Sequence, residues 1–85
     1  MAKTATTVFP PDAARDELAI VVISGSVAVS ICTLAMNGGE VPTSASGNWV
    51  AVPEADPLTE SKVLYRGRDA YVRIVPESGA VFDIA

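Results

Sequence analysis

At 85 residues the chain has room for one domain, and a chain this short buries only about 60–65% of the surface its unfolded form exposes. A net charge of −4 without a basic cluster argues against nucleic acid as a partner, because phosphate binding needs Lys and Arg to displace counterions. No histidine is present, which removes the commonest general base and the commonest transition-metal ligand together.

Residues 1–17 read as an N-terminal arm, and residues 18–85 as a single β domain. The opening Met-Ala-Lys-Thr-Ala-Thr-Thr-Val lacks the charged-then-apolar layout of a signal peptide, which argues against export by the secretory route. Thr4 to Phe9 has the composition of an edge strand, and Pro10-Pro11 would end its pairing. Asp12 to Glu17 suffices for one helical turn capped by Asp12.

Leu18 to Met36 carries no charge, and hydropathy alone marks it as a membrane span, since about 20 apolar residues cross a bilayer. Its internal pattern favours two strands instead. Ser24-Gly25-Ser26 is a turn signal, placing either a tight hairpin or a corner between sheets. After it, Val27, Val29 and Ile31 alternate with Ala28, Ser30 and Cys32, the strand period of two. The flanking Asp16, Glu17 and Glu40 do not form the aromatic and basic belt of a membrane interface. Cys32 has no second cysteine to pair with, and its apolar run predicts a buried, inert thiol.

Asn37-Gly38-Gly39 is a turn, and Val41 to Gly47 a surface loop. Asn48 to Val52 predicts a short strand, followed by a loop from Pro53 to Glu60. Lys62 to Arg66 predicts a strand, Gly67-Arg68-Asp69 a turn, and Ala70 to Val75 the returning strand. There Val72 and Ile74 share one face while Tyr71 and Arg73 share the other. Pro76 to Gly79 reads as a second hairpin loop, and Ala80 to Ile84 as the last strand. Six to seven short antiparallel strands make a small β-sandwich or β-barrel the expected fold. With aromatics confined to Phe9, Trp49, Tyr65, Tyr71 and Phe82, the core must come from aliphatic residues. A core so thin suits a domain completed by assembly.

Groups able to do chemistry are sparse. The carboxylate pairs Asp12 with Asp16, and Glu54 with Asp56, lack the alternating ligand spacing of a calcium loop and read as solubilising charge. Serines are plentiful, but a Ser-His dyad needs a histidine, and nothing sets Lys3 or Lys62 beside a serine. Arg66, Arg68 and Arg73 are interleaved with Asp69 and Glu77, the pattern of a solvated face of mixed charge. The expectation is a non-enzymatic chain with no cofactor and no bound metal. Trp49 has three readings in order: core filler, anchor of a protein interface, or sugar-stacking platform with Tyr65 and Tyr71. The candidate interface residues are Val8, Phe9, Trp49, Tyr65, Tyr71 and Arg73, with Tyr71 and Arg73 outward by alternation.

Three stretches carry a resemblance: the opening octapeptide, Gly-Asn-Trp-Val-Ala-Val from Gly47, and Tyr-Val-Arg-Ile-Val-Pro-Glu-Ser-Gly from Tyr71. In style these resemble small β-rich virion proteins of tailed bacteriophages, such as head decoration (cement) proteins and tail or fibre accessories. The resemblance is compositional and prescribes no functional residue. It implies a module, often trimeric, bound to a capsid or tail protein, with an N-terminal arm reaching a neighbouring copy. Localisation to the virion, after assembly in the host cytoplasm, follows from the same resemblance. The leading expectation is therefore a structural protein that binds copies of itself and a larger protein lattice, without nucleic acid or membrane. A carbohydrate-binding or adhesion module is the first alternative, and a single-pass membrane protein spanning 18–36 the second.

Overall fold

The computed structural model describes residues 2–12 and 14–85. Among these residues seven strands form two antiparallel sheets. They are β1 (Thr7–Phe9), β2 (Glu17–Ser24), β3 (Val27–Thr33), β4 (Val50–Ala51), β5 (Lys62–Tyr65), β6 (Ala70–Pro76) and β7 (Val81–Ile84). One sheet has the order β1-β6-β3-β4 and the other β5-β2-β7. The chain is all-β, as its alternation requires. Residues 18–36 hold β2 and β3. Among the described residues no helix is long and apolar enough to cross a membrane.

Alternation decides which side chains meet between the sheets. Leu18 and Ile20 of β2, Val27 and Val29 of β3, Leu64 of β5, Val72 and Ile74 of β6 and Phe82 of β7 are all buried. Phe9, Val22, Ile31, Val52 and Ile84 pack around them. Register locks these faces together. Ile31 lies opposite Val72 and Val29 opposite Ile74, while Leu18 faces Leu64 and Val22 faces Phe82. A slip of one residue would turn every one of these side chains outward.

The connection Ser24-Gly25-Ser26 is a corner between sheets, the second of its two expected forms. Gly67-Arg68-Asp69 and the 77–80 turn differ from the hairpins their sequences suggest. β5 and β6 lie in different sheets, and so do β6 and β7. An arch of this kind lets Leu64, Val72 and Phe82 face one another across the core, whereas a hairpin would set them side by side in one layer. Two of these arches meet at one end of the sandwich. The Glu77 amide donates to the Ser26 carbonyl at 2.9 Å, and Gly25 abuts Ala80.

The N-terminal segment is stitched to both sheets. Lys3 exchanges two backbone hydrogen bonds with Phe82, at 2.6 and 3.0 Å, and β1 pairs with β6 from Thr7 to Phe9. Beyond Pro10-Pro11, the Asp12 carboxylate accepts from the Ala14 amide at 2.9 Å, and the Asp12 carbonyl from Arg15 at 3.0 Å. Asp12 accepts at the start of the stretch as expected, but the described residues from Asp12 to Glu17 form no helix, so the expected helical turn is not formed. Arg66 corrects the expectation of a solvated arginine face, because it is buried. Its Nη1 donates to the Pro10 carbonyl at 3.1 Å and its Nε to that of Arg15 at 3.4 Å. A guanidinium can leave water when carbonyls take its donors, and here it pins the 10–16 segment to the end of β5.

Candidate interaction surfaces

The outer face of the four-stranded sheet is assembled by register. Val8 of β1, Arg73 of β6, Ser30 of β3 and Ala51 of β4 form one row across the strands. Tyr71 stands beside Cys32 in the next. The outward placing of Tyr71 and Arg73 follows the alternation, since Val72 and Ile74 are buried. Both side chains are nevertheless half-buried, because the chain between β3 and β4 folds back over this face.

That 34–49 loop is held by its own polar groups. Asn48 Nδ2 donates to the Met36 carbonyl at 2.8 Å, and Asn37 Oδ1 accepts from the Asn48 amide at 3.0 Å. Asn37 Nδ2 donates to the Glu40 carbonyl at 2.8 Å. Trp49 Nε1 donates to the Thr43 carbonyl at 2.9 Å, and the Arg73 guanidinium carbon lies 5.0 Å from the Trp49 ring centroid. This is cation–π distance. Arg73 Nη1 also reaches the Ser44 carbonyl at 3.4 Å, while its Nε is shut off from solvent with no hydrogen-bond partner among the described residues. Trp49 is thus not the core filler ranked first from sequence; it lies half-buried outside the sandwich, over Arg73. Cys32 is buried and free, as expected, with its thiol 3.4 Å from the Thr33 carbonyl.

Gly47 is what allows this closure. Its φ of +149° suits glycine, and an added Cβ would come within 2.8 Å of Pro42 Cβ and 3.1 Å of Trp49 Nε1. Gly47→Ala should therefore lift the indole from Thr43 and cost about 1–2 kcal/mol, leaving the core intact. Tryptophan emission should shift to the red while the strand spectrum holds. An unchanged emission maximum would contradict the closure described.

The candidate interface residues do not form one patch. Val8, Arg73, Trp49 and Tyr71 belong to the four-stranded sheet's outer side. Phe9 instead packs against the core. Tyr65, 74% exposed, lies across the molecule on the outer face of the other sheet. Beside it, alternation places Val63, 56% exposed, with Glu17 and Ala19 of β2 opposite the two. Val63 was not singled out from sequence, although the alternation in Lys62 to Arg66 sets it on the same face as Tyr65. Of the three aromatics named for a sugar platform, Trp49 and Tyr71 lie on the outer side of the four-stranded sheet and Tyr65 on that of the other, so the three do not form one face.

Next to this face, Asp83 lies opposite Val21. The Ile84 amide donates to its Oδ1 at 2.8 Å. This bond holds the carboxyl below the ordinary carboxylate range, with nearby positive charge such as Lys3 adding to it. A carboxyl whose pKa is lowered on folding stabilises fully above its unfolded value, and that contribution fades as pH falls through the folded one. Asp83→Asn should accordingly flatten the acid limb of a stability profile below about pH 4. An acid limb as steep as the parent's would show that the pairing is not felt.

Comparison with known proteins finds no matching family, no matching curated protein and no matching solved structure.

Proposed function

We propose that the chain is a non-catalytic structural subunit, which associates with copies of itself and docks on a larger protein lattice, that of a phage capsid or tail. The observation that carries this reading is apolar surface left in water. Ile23, Leu34, Met36, Val41, Val50, Val63 and Tyr65 are each between 37% and 74% exposed. Single exposed apolar residues are ordinary. Here, however, Val63 and Tyr65 are successive outward residues of one edge strand, and Leu34, Met36 and Val41 share one loop. Grouped apolar side chains on a small domain mark surfaces that other proteins cover.

Two kinds of surface then divide the work. The 34–49 loop, with Tyr71 at its margin, is the surface assigned to self-association. The edge of the three-stranded sheet is the surface assigned to the lattice. The polar sequence at the front of the chain, expected to reach a neighbour, contributes by closing the sandwich on the side opposite that edge. The testing experiment is fractionation of the native source on a density gradient. The chain should travel with assembled particles and leave them only on denaturation. A chain found entirely in the free protein fraction would overturn the virion reading.

A further inference from the structure

The two sides of the sandwich are finished differently. On one side, residues 3–9 run from the edge of β7 to the edge of β6, closing both sheets. On the other side, β5 ends one sheet and the two-residue β4 ends the other. Between them a narrow apolar seam is lined by Leu18, Val29, Ile31, Val52, Leu64 and Val72, drawn from both layers. Val50 of β4, 52% exposed, pairs with Ile31, one of the residues lining it. β5 has no strand beyond it among the described residues, so the outer row of its peptide groups is available for pairing.

Charge selects the occupant. Glu54, Asp56 and Glu60 lie in the segment leading into β5, and Asp16 and Glu17 lie beside its far end. Against these five carboxylates and Asp69 of the turn after β5 stand Lys62, Arg15 and Arg68, since Arg66 is turned inward onto the Pro10 and Arg15 carbonyls, and the edge keeps an excess of negative charge. A second copy does not fit this edge well. Antiparallel pairing of two β5 strands that sets Val63 against Tyr65 brings Glu60 of each copy toward Asp16 and Glu17 of the other, acidic end to acidic end. Like charges directly opposite are destabilising.

We infer that the β5 edge takes up an extended, basic segment of a different protein as an added strand, with apolar side chains on Val63 and Tyr65 and lysines or arginines toward the flanking carboxylates. Backbone pairing supplies the geometry, and the side chains on alternate positions supply selection. This inference rests on the reading of the chain as an interaction subunit, and it names the chemistry of the docking partner.

The test uses the full chain, isotope-labelled, and a short capped peptide alternating Val and Lys. Three comparisons accompany it: a Val–Glu twin, a Val–Lys peptide with N-methylated backbone, and the double variant V63K/Y65K. Both substituted residues are exposed, so the variant should keep its fold, which its own spectrum verifies. The inference expects the Val–Lys peptide to shift and protect amides from Lys62 to Arg66. It expects the Glu twin and the N-methylated peptide to leave them unmoved, and V63K/Y65K to weaken binding by about tenfold or more. Equal binding of either control peptide would overturn it, as would shifts confined to another surface or none at all. Protection of the same amides by raising protein concentration alone would give the edge to a second copy, and would overturn it too. Failure of the wider reading is distinguishable. A chain that travels with particles while β5 ignores the peptide keeps the proposed function and loses this inference. A chain that takes the peptide at β5 but never joins a particle does the reverse.

Discussion

Phe82→Ala should remove a large share of the domain's stability and lower its melting temperature by more than about 12 °C. Phe82 is fully buried and is the largest side chain in the core. Removing it costs about 3–5 kcal/mol, the transfer of the ring plus the cavity left behind. A domain of this length has only roughly 4–13 kcal/mol to lose, at about 0.05–0.15 kcal/mol per residue. Few large side chains stand nearby to fill the space, since the surrounding core is Val, Ile, Leu and Ala. Thermal melting read by circular dichroism checks this. A Phe82→Leu variant should recover much of the stability, and a Phe82→Ala protein melting within a few degrees of the parent would show that the core is not organised around this ring.

Gly25→Ala should rank second, with a cost of about 2–5 kcal/mol. Two penalties add at this corner. The φ of +76° places an alanine in the left-handed region, worth about 1–2 kcal/mol. A Cβ there would also lie 2.9 Å from both Cα and Cβ of Ala80, so backbone must move, and overpacking of this kind typically costs about 1–3 kcal/mol. Ala80 is itself buried, at the turn that carries β6 into β7. The two arches therefore have little freedom to separate. Chemical denaturation gives the comparison directly. Gly38→Ala, at a positive φ of +65° with nothing within 4 Å of the added atom, isolates the strain alone and should cost less. Equal losses at the two glycines would mean that the arches do not press on each other.

The strand content was readable because alternation is a local property. Val27, Val29 and Ile31 announce a buried face whatever lies opposite them. The pairing of those faces was not readable. Gly67-Arg68-Asp69 and Pro76 to Gly79 are compatible with a hairpin or an arch, and both solutions bury the same residues. Only the packing of whole sheets chooses between them. Arg66 misled for a related reason: its burial depends on carbonyls of Pro10 and Arg15, distant in sequence. Trp49 misled because a large aromatic in an aliphatic chain suggests a core, yet the loop that seats it is held by Asn37, Asn48 and Gly47, residues that look like ordinary turn formers. The outward side of Tyr71 and Arg73 was legible from alternation alone, because Val72 and Ile74 between and beside them are inward. Phe9 was placed among the candidate interface residues because an edge strand has two faces, and the short run Thr7–Phe9 gives too few residues to say which is inward.

The central claim is that this domain works by association, and sedimentation velocity of the purified chain over a wide concentration range tests it most directly. The account predicts a sedimentation coefficient that rises with concentration, and that rises less when Val41, 61% exposed on the 34–49 loop, is replaced by Glu. A single species of 8.8 kDa at every concentration would contradict it.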